Sequence, residues 1–252
     1  ASPEEGAFVK NTSEGISFVA AGFPWRDGDN LVTANVEYPS NVYPWMRLRT
    51  RNVETRMVPA RDGRVRKEDL FAACDGKTRL VALSSVEFAN GYRNDLPGIG
   101  EYCQRHGIFF CVDGIQSLGV LPMDVKSFGV DALSADGHKW LLAPAGNGFL
   151  WVRRASAPRV WTTLASGEWA NEKDPGYRLQ QRGTGSVPLQ TGLEAAIDFH
   201  LRVGPDRWIR RIRELGDRLR AGLAEIPGVT IYSSTHPALR AGMTPWRLPG
   251  VS

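Results

Sequence analysis

The strongest constraint on the fold is the run at residues 79–86, Arg-Leu-Val-Ala-Leu-Ser-Ser-Val, which is apolar at successive positions rather than alternate ones. A strand covered on one face alternates apolar with polar, whereas a strand inside a parallel sheet is covered on both and reads as a near-continuous apolar run. Residues 108–113 (Ile-Phe-Phe-Cys-Val-Asp), 131–136 (Asp-Ala-Leu-Ser-Ala-Asp) and 148–153 (Gly-Phe-Leu-Trp-Val-Arg) are of the same kind. Two further strands are predicted at 30–36 and 53–58. Between them lie helical patterns: 16–21 behind the cap-type residues Asn11, Thr12 and Ser13, then 67–74 and 97–106. Strands alternating with helices predict an α/β sheet protein. Helices then dominate at 188–201 and 205–225, before a short strand at 229–232 and a Pro- and Gly-rich segment at 237–252. This shift near residue 190 predicts a large domain over 1–190, with joining helices and an incomplete small C-terminal domain over 191–252.

Several function classes are disfavoured. No apolar run approaches the roughly 18 residues that a membrane helix needs. Residues 1–10 lack the basic-then-apolar layout of a signal and an initiator Met, so the start reads as processed or trimmed. Cys74, Cys103 and Cys111 form no CxxC pair, and an odd count argues against a disulfide framework, which fits a reducing cytoplasm. The net charge of +4 raises the question of nucleic acid. The densest basic cluster, Arg207 to Arg220, shares its helix with the apolar stripe Trp208, Ile212, Leu215, Leu219 and Leu223. That spacing predicts a packed helix with a solvated basic face, and no nucleic-acid partner is expected.

The polar residues that interrupt this pattern fall where open α/β sheets bind ligands, beyond the carboxyl ends of strands. Asp113 ends one strand, and Asp136, His138 and Lys139 follow the end of the next. Thr12 and Ser13 lie at a helix N-terminus, where free backbone N–H groups favour a phosphate. A lysine, a carboxylate and a phosphate cradle together are what pyridoxal 5'-phosphate (PLP) requires. The lysine amine forms an imine with the cofactor aldehyde. A buried carboxylate beside the pyridine nitrogen keeps it protonated, so the ring can accept electrons from the substrate.

The segments Cys111-Val-Asp-Gly-Ile-Gln-Ser-Leu-Gly119 and Ser134-Ala-Asp-Gly-His-Lys-Trp-Leu-Leu-Ala-Pro-Ala-Gly146 resemble the class V aminotransferase family, which includes cysteine desulfurases and isopenicillin N epimerase-like PLP enzymes. The resemblance runs from Asn11 to about Thr230 and implies a fold-type I PLP-dependent transferase, with a mainly parallel seven-stranded sheet flanked by helices. It implies that Lys139 is the Schiff-base lysine, that Asp113 pairs with the pyridine nitrogen, and that Gln116 bonds the phenolic oxygen. Thr12, Ser13 and His138 would lie near the phosphate, and Tyr38 would stack on the cofactor where desulfurases carry a histidine. The segment Arg182-Gly-Thr-Gly185 resembles one that reaches a neighbouring subunit's phosphate, so Thr184 implies a homodimer. Asp136 stands where desulfurases usually carry a small hydroxyl residue, and a carboxylate there reads as acting through a neighbour. Phe88 replaces a substrate-side asparagine, which leaves Asn90 and Arg93 as the substrate-facing candidates. These departures point away from housekeeping desulfurases. The expected activity is that of a PLP-dependent enzyme acting on an amino acid, by transamination or by carbon–sulfur lyase or epimerase-type chemistry. The alternatives are a cysteine desulfurase whose catalytic cysteine lies past residue 252, and a non-catalytic binding protein that retains the fold. No metal site is expected.

Overall fold

The computed structural model describes residues 2–163, 170–180 and 185–250. In chain order its elements are β1 (Gly6–Val9), α1 (Thr12–Gly22), β2 (Asn30–Ala34), α2 (Tyr43–Met46), β3 (Glu54–Val58), α3 (Lys67–Ala72), β4 (Thr78–Ser84), α4 (Leu96–Arg105), β5 (Phe109–Asp113), β6 (Ala132–Asp136) and β7 (Gly148–Val152). There follow α5 (Pro175–Leu179), α6 (Val187–Val203), α7 (Pro205–Ala224), β8 (Thr230–Ile231) and β9 (Trp246–Arg247).

The strands β1 to β7 form one seven-stranded sheet in the order β1-β7-β6-β5-β4-β2-β3. From β6 to β3 every pair is parallel, while β7 runs antiparallel to both β6 and β1. The continuous apolar runs have the cause expected of them. In β4, Leu80 and Ala82 join the core with Ile16, Val19 and Trp45, while Val81 and Leu83 join the opposite core with Ile99 and Val130. Phe109 and Cys111 of β5 face the first core, Phe110 and Val112 the second. Each large side chain fully withdrawn from water in this way contributes roughly 1.5–3 kcal/mol before entropy is counted.

The strand β1 was not expected. It is four residues long and antiparallel at the sheet edge, and its alternation exposes Phe8 at 41%. So short a run leaves no periodic signal. The stripe on α7 also differs from expectation: Ile209 and Leu223 are buried, but Leu215 and Leu219 are each 48% exposed. Among the described residues, α7 packs chiefly on α6 and the C-terminal segment, so part of its apolar face stays uncovered. The last two strands form a separate two-stranded antiparallel sheet. No helix among the described residues is long and apolar enough to cross a membrane.

Candidate active site

The carboxyl ends of three parallel strands place Ser84, Asp113 and Ser134 side by side in register. Asp113 is 2% exposed, and its Oδ1 accepts a 3.0 Å hydrogen bond from the Ile115 amide. Its carbonyl accepts from the Ser85 amide and hydroxyl (2.9 and 3.0 Å), and Ser85 shares a 2.7 Å bond with Ser117. Burial pushes the Asp113 carboxyl up to about 6, against the Ile115 hydrogen bond and the Lys139 charge, which both lower it. Gln116 lies in the turn that Ser117 closes on Gly114. It is 9% exposed, and its amide has no hydrogen-bond partner among the described residues.

Lys139 sits one strand over, in the tight turn after β6. The Ala143 amide reaches the Gly137 carbonyl (2.9 Å) and the Leu142 amide reaches that of Lys139 (3.1 Å). Leu142 takes a left-handed φ of 60°, a costly conformation for a bulky residue, in the turn that presents Lys139. The half-buried amine is held below the ordinary lysine value by desolvation, which the charges of Asp113 and Asp136 partly offset. The Lys139 Nζ lies 5.7 Å from the centroid of the Tyr38 ring. Tyr38 in turn meets Phe88 edge-on at 5.1 Å, and both rings are exposed.

The first turn of α1 comes to the same strand end. Thr12 is buried and its Oγ1 accepts from the Asp136 amide at 3.0 Å, while Ser134 donates to the Thr12 carbonyl at 3.2 Å. This approach depends on Gly15, where any Cβ would overlap the Ser134 side chain. Asn11, rather than Thr12 or Ser13, is the cap: its side chain accepts from the Glu14 amide at 2.9 Å. Ser13 instead shares a 2.6 Å bond with Ser40, tying α1 to the Tyr38 loop. Asp136 is buried and lies 3.0 Å from His138 Nδ1, a distance at which it orients the exposed imidazole.

The structure thus gathers Thr12, Ser13, Tyr38, Asp113, Asp136, His138 and Lys139 around the ends of β5 and β6, with Gln116 one turn beyond Asp113. Thr184 lies outside the described residues. Asn90 and Arg93 are engaged elsewhere. The Asn90 amide donates to the Gly63 carbonyl and its oxygen accepts from the Tyr92 amide, whereas Arg93 lines a separate cavity beside α7.

Two carboxyl groups escaped sequence reasoning. Glu37 is buried and accepts from the Ser84 amide (2.6 Å), the Ser84 hydroxyl (2.5 Å) and Asn41 (2.9 Å), whose oxygen takes the Trp45 indole N–H. Glu87 is fully buried and accepts from Asn94 at 2.7 Å. Burial pushes Glu37 up to about 7; burial and the neighbouring Glu37 push Glu87 well above the usual carboxyl range. The only sequence signal was a glutamate next to an apolar strand end in Val36-Glu37 and Val86-Glu87.

A mixed seven-stranded sheet with a lysine, a buried carboxylate and a helix N-terminus meeting at its carboxyl edge is the architecture of fold-type I transferases. The chain belongs to the aminotransferase class-V family, whose model matches residues 1–251. It is 37% identical to a probable cysteine desulfurase of Methanothermobacter thermautotrophicus, over 92% of this chain and 60% of that protein. It is 33% identical to a cysteine desulfurase of Salmonella typhimurium, over 98% of this chain and 63% of that protein. The apo cysteine desulfurase of Thermococcus onnurineus NA1 superposes with a TM-score of 0.90 at 29% identity, covering 100% of this chain and 65% of that one. The cystine C–S lyase C-DES, in complex with its product cysteine persulfide, superposes at 0.85 with 27% identity, covering 95% and 67%. The chain therefore spans about three-fifths of the length of the curated relatives it matches.

Proposed function

We propose that this chain is the larger part of a PLP-dependent enzyme that cleaves the carbon–sulfur bond of a cysteine-like amino acid, with Lys139 holding the cofactor. The observation that carries this reading is the grouping of a half-buried Lys139 amine, the buried Asp113 carboxylate and the Tyr38 ring at one strand edge. The donor set fits the cofactor. A protonated pyridine nitrogen suits the buried Asp113 carboxylate, and the Gln116 amide, unpartnered among the described residues, suits the phenolic oxygen. Thr12, Ser13 and His138 would hold the phosphate, with Asp136 orienting His138. Thr184 would reach a neighbouring subunit's phosphate in a homodimer, on the strength of the Arg182–Gly185 resemblance. A cytoplasmic enzyme fits the unpaired thiols.

When bound, PLP supplies an electron sink for bonds at the substrate α-carbon. Lys139 has the properties of the base that works there, since desolvation favours its neutral amine. Asp113 would hold positive charge on the pyridine nitrogen, and Tyr38, whose ring meets Phe88, would cover the approach to Lys139. The substrate class rests on the relatives, a probable cysteine desulfurase, a cysteine desulfurase and a cystine C–S lyase. Burial raises all three thiols of this chain, Cys74 to about 11 and Cys103 and Cys111 further, and none of them is a ready sulfur acceptor. A desulfurase reading would therefore take its sulfur acceptor from the part of the relatives' length that this chain does not span.

Incubating the PLP-loaded protein with cysteine separates the readings. Elimination converts cysteine and water to pyruvate, ammonia and sulfide in equal amounts. Alanine formed in step with sulfur release would instead establish a desulfurase.

A further inference from the structure

A second cavity, of about 330 Å³, opens where α7 and the C-terminal segment meet the large sheet domain. Its walls carry four arginines, Arg93, Arg213, Arg220 and Arg240, against one carboxylate, Asp217. Asp217 is already taken by Arg240, and Arg220 donates to Ser233 and to the Met243 carbonyl (3.0 Å). Arg93 and Arg213 have no carboxylate partner among the described residues. They lie close enough that the charge of Arg213 adds to burial in pulling Arg93 below its ordinary value. The charge of Asp95 offsets this repulsion only in part, and an anion between the two guanidinium groups reverses its sign.

The cavity is a built feature rather than a chance gap. The Arg93 amide donates to the Leu239 carbonyl (3.1 Å), the Ala241 amide to that of Gly91 (3.2 Å), and Tyr92 bridges Arg240, so the C-terminal segment is fastened to the β4–α4 connection. Its floor is apolar, from Val120, Leu121 and Ile212. Gly242 closes the wall, where a side chain would meet the Trp140 ring at 2.7 Å. None of Lys139, Asp113, Tyr38 or Gln116 lines it.

We propose that this cavity binds a compact polyanion, a small molecule with two or more phosphate or carboxylate groups, held by Arg93 and Arg213 of its lining. Guanidinium forks match planar and tetrahedral oxyanions with paired N–H donors, which a lysine does not. The volume lies near the lower end of small-ligand sites, roughly 300–1,000 Å³, and suits a metabolite rather than a polymer. The site backs onto Trp140, the neighbour of Lys139, but shares no residue with the Lys139 cleft, so it stands or falls apart from the proposed activity.

Calorimetric titration of the full-length holoprotein, freed of unbound cofactor, tests it with inorganic pyrophosphate and with citrate as separate probes. Saturable binding of either at one site per chain is expected, and the one that binds identifies the phosphate or the carboxylate class. In Arg93→Gln/Arg213→Gln that binding should weaken about tenfold or more, as the loss of charged hydrogen bonds implies. Arg213→Gln alone, an exposed position, carries the same test if the double variant misfolds by circular dichroism. Failure of both probes to bind, or binding that survives the arginine substitutions, overturns the proposal.

Discussion

Glu37, Glu87 and Asp113 are buried carboxyl groups held above their ordinary values. Burial penalises the anion of each, and the three repel one another, so the folded protein holds protons that the unfolded chain releases. The sign for stability follows. A carboxyl whose folded value is raised contributes fully below its unfolded value and loses that contribution as pH climbs through the folded value. For Glu37 the window runs from 4.5 to about 7. The melting temperature should therefore fall across that window, and Glu87→Gln, which removes one acid at nearly constant shape, should flatten the fall. A pH-independent melting temperature, or an unchanged slope in the variant, would show that the pair is ionised and paired by other means. Asp113→Asn tests the site itself. It preserves the size of the side chain but removes its charge, so turnover should drop by on the order of 100-fold or more while the cofactor stays bound. An unaffected rate would remove Asp113 from the chemistry.

At the scale of elements, the approach of α1 to β6 brings Thr12 and the Lys139 turn to one edge. Gly15 permits that approach, because a Cβ there overlaps Ser134. Gly15→Ala should displace the first turn, cost about 1–3 kcal/mol in thermal or urea unfolding, and weaken PLP binding together with stability. Stability lost without any change in PLP affinity would separate α1 from the cofactor site. The interior strands were legible because burial on both faces leaves continuous apolar runs, and their ends named Asp113 and the residues before Lys139. The edge strand β1 and the loops around Tyr38 were not, because four residues at an edge carry no period and a 3-10 turn has no composition of its own. Glu37 and Glu87 stayed hidden for a different reason. Whether a glutamate near a strand end is solvated or buried is decided by how the chain folds around it: Glu37 is met by Ser84 from another strand, and Glu87 by Asn94 where the connection after β4 turns back. Asn90 and Arg93 were placed by their nearness in sequence to Phe88, and in the fold Asn90 bonds to Gly63 while Arg93 lines the α7 cavity.

Across the whole molecule, the site joins the two ends of the sheet domain: Thr12 contacts Asp136 across 124 residues of sequence. Such a site exists only in the folded chain, so a ligand that fills it must stabilise the fold. At a hundred times its dissociation constant the gain is about 2.7 kcal/mol. Added PLP should raise the melting temperature of the wild type clearly and that of Lys139→Ala much less, since the variant keeps the polar contacts and loses the covalent one. The most direct measurement is to load the protein with PLP, reduce it with borohydride, and map the attached pyridoxyl group by peptide mass spectrometry. The label should sit on Lys139, one per chain, and be absent from Lys139→Ala. A label spread over other lysines, or retained in that variant, would contradict the assignment of Lys139 as the lysine that holds the cofactor.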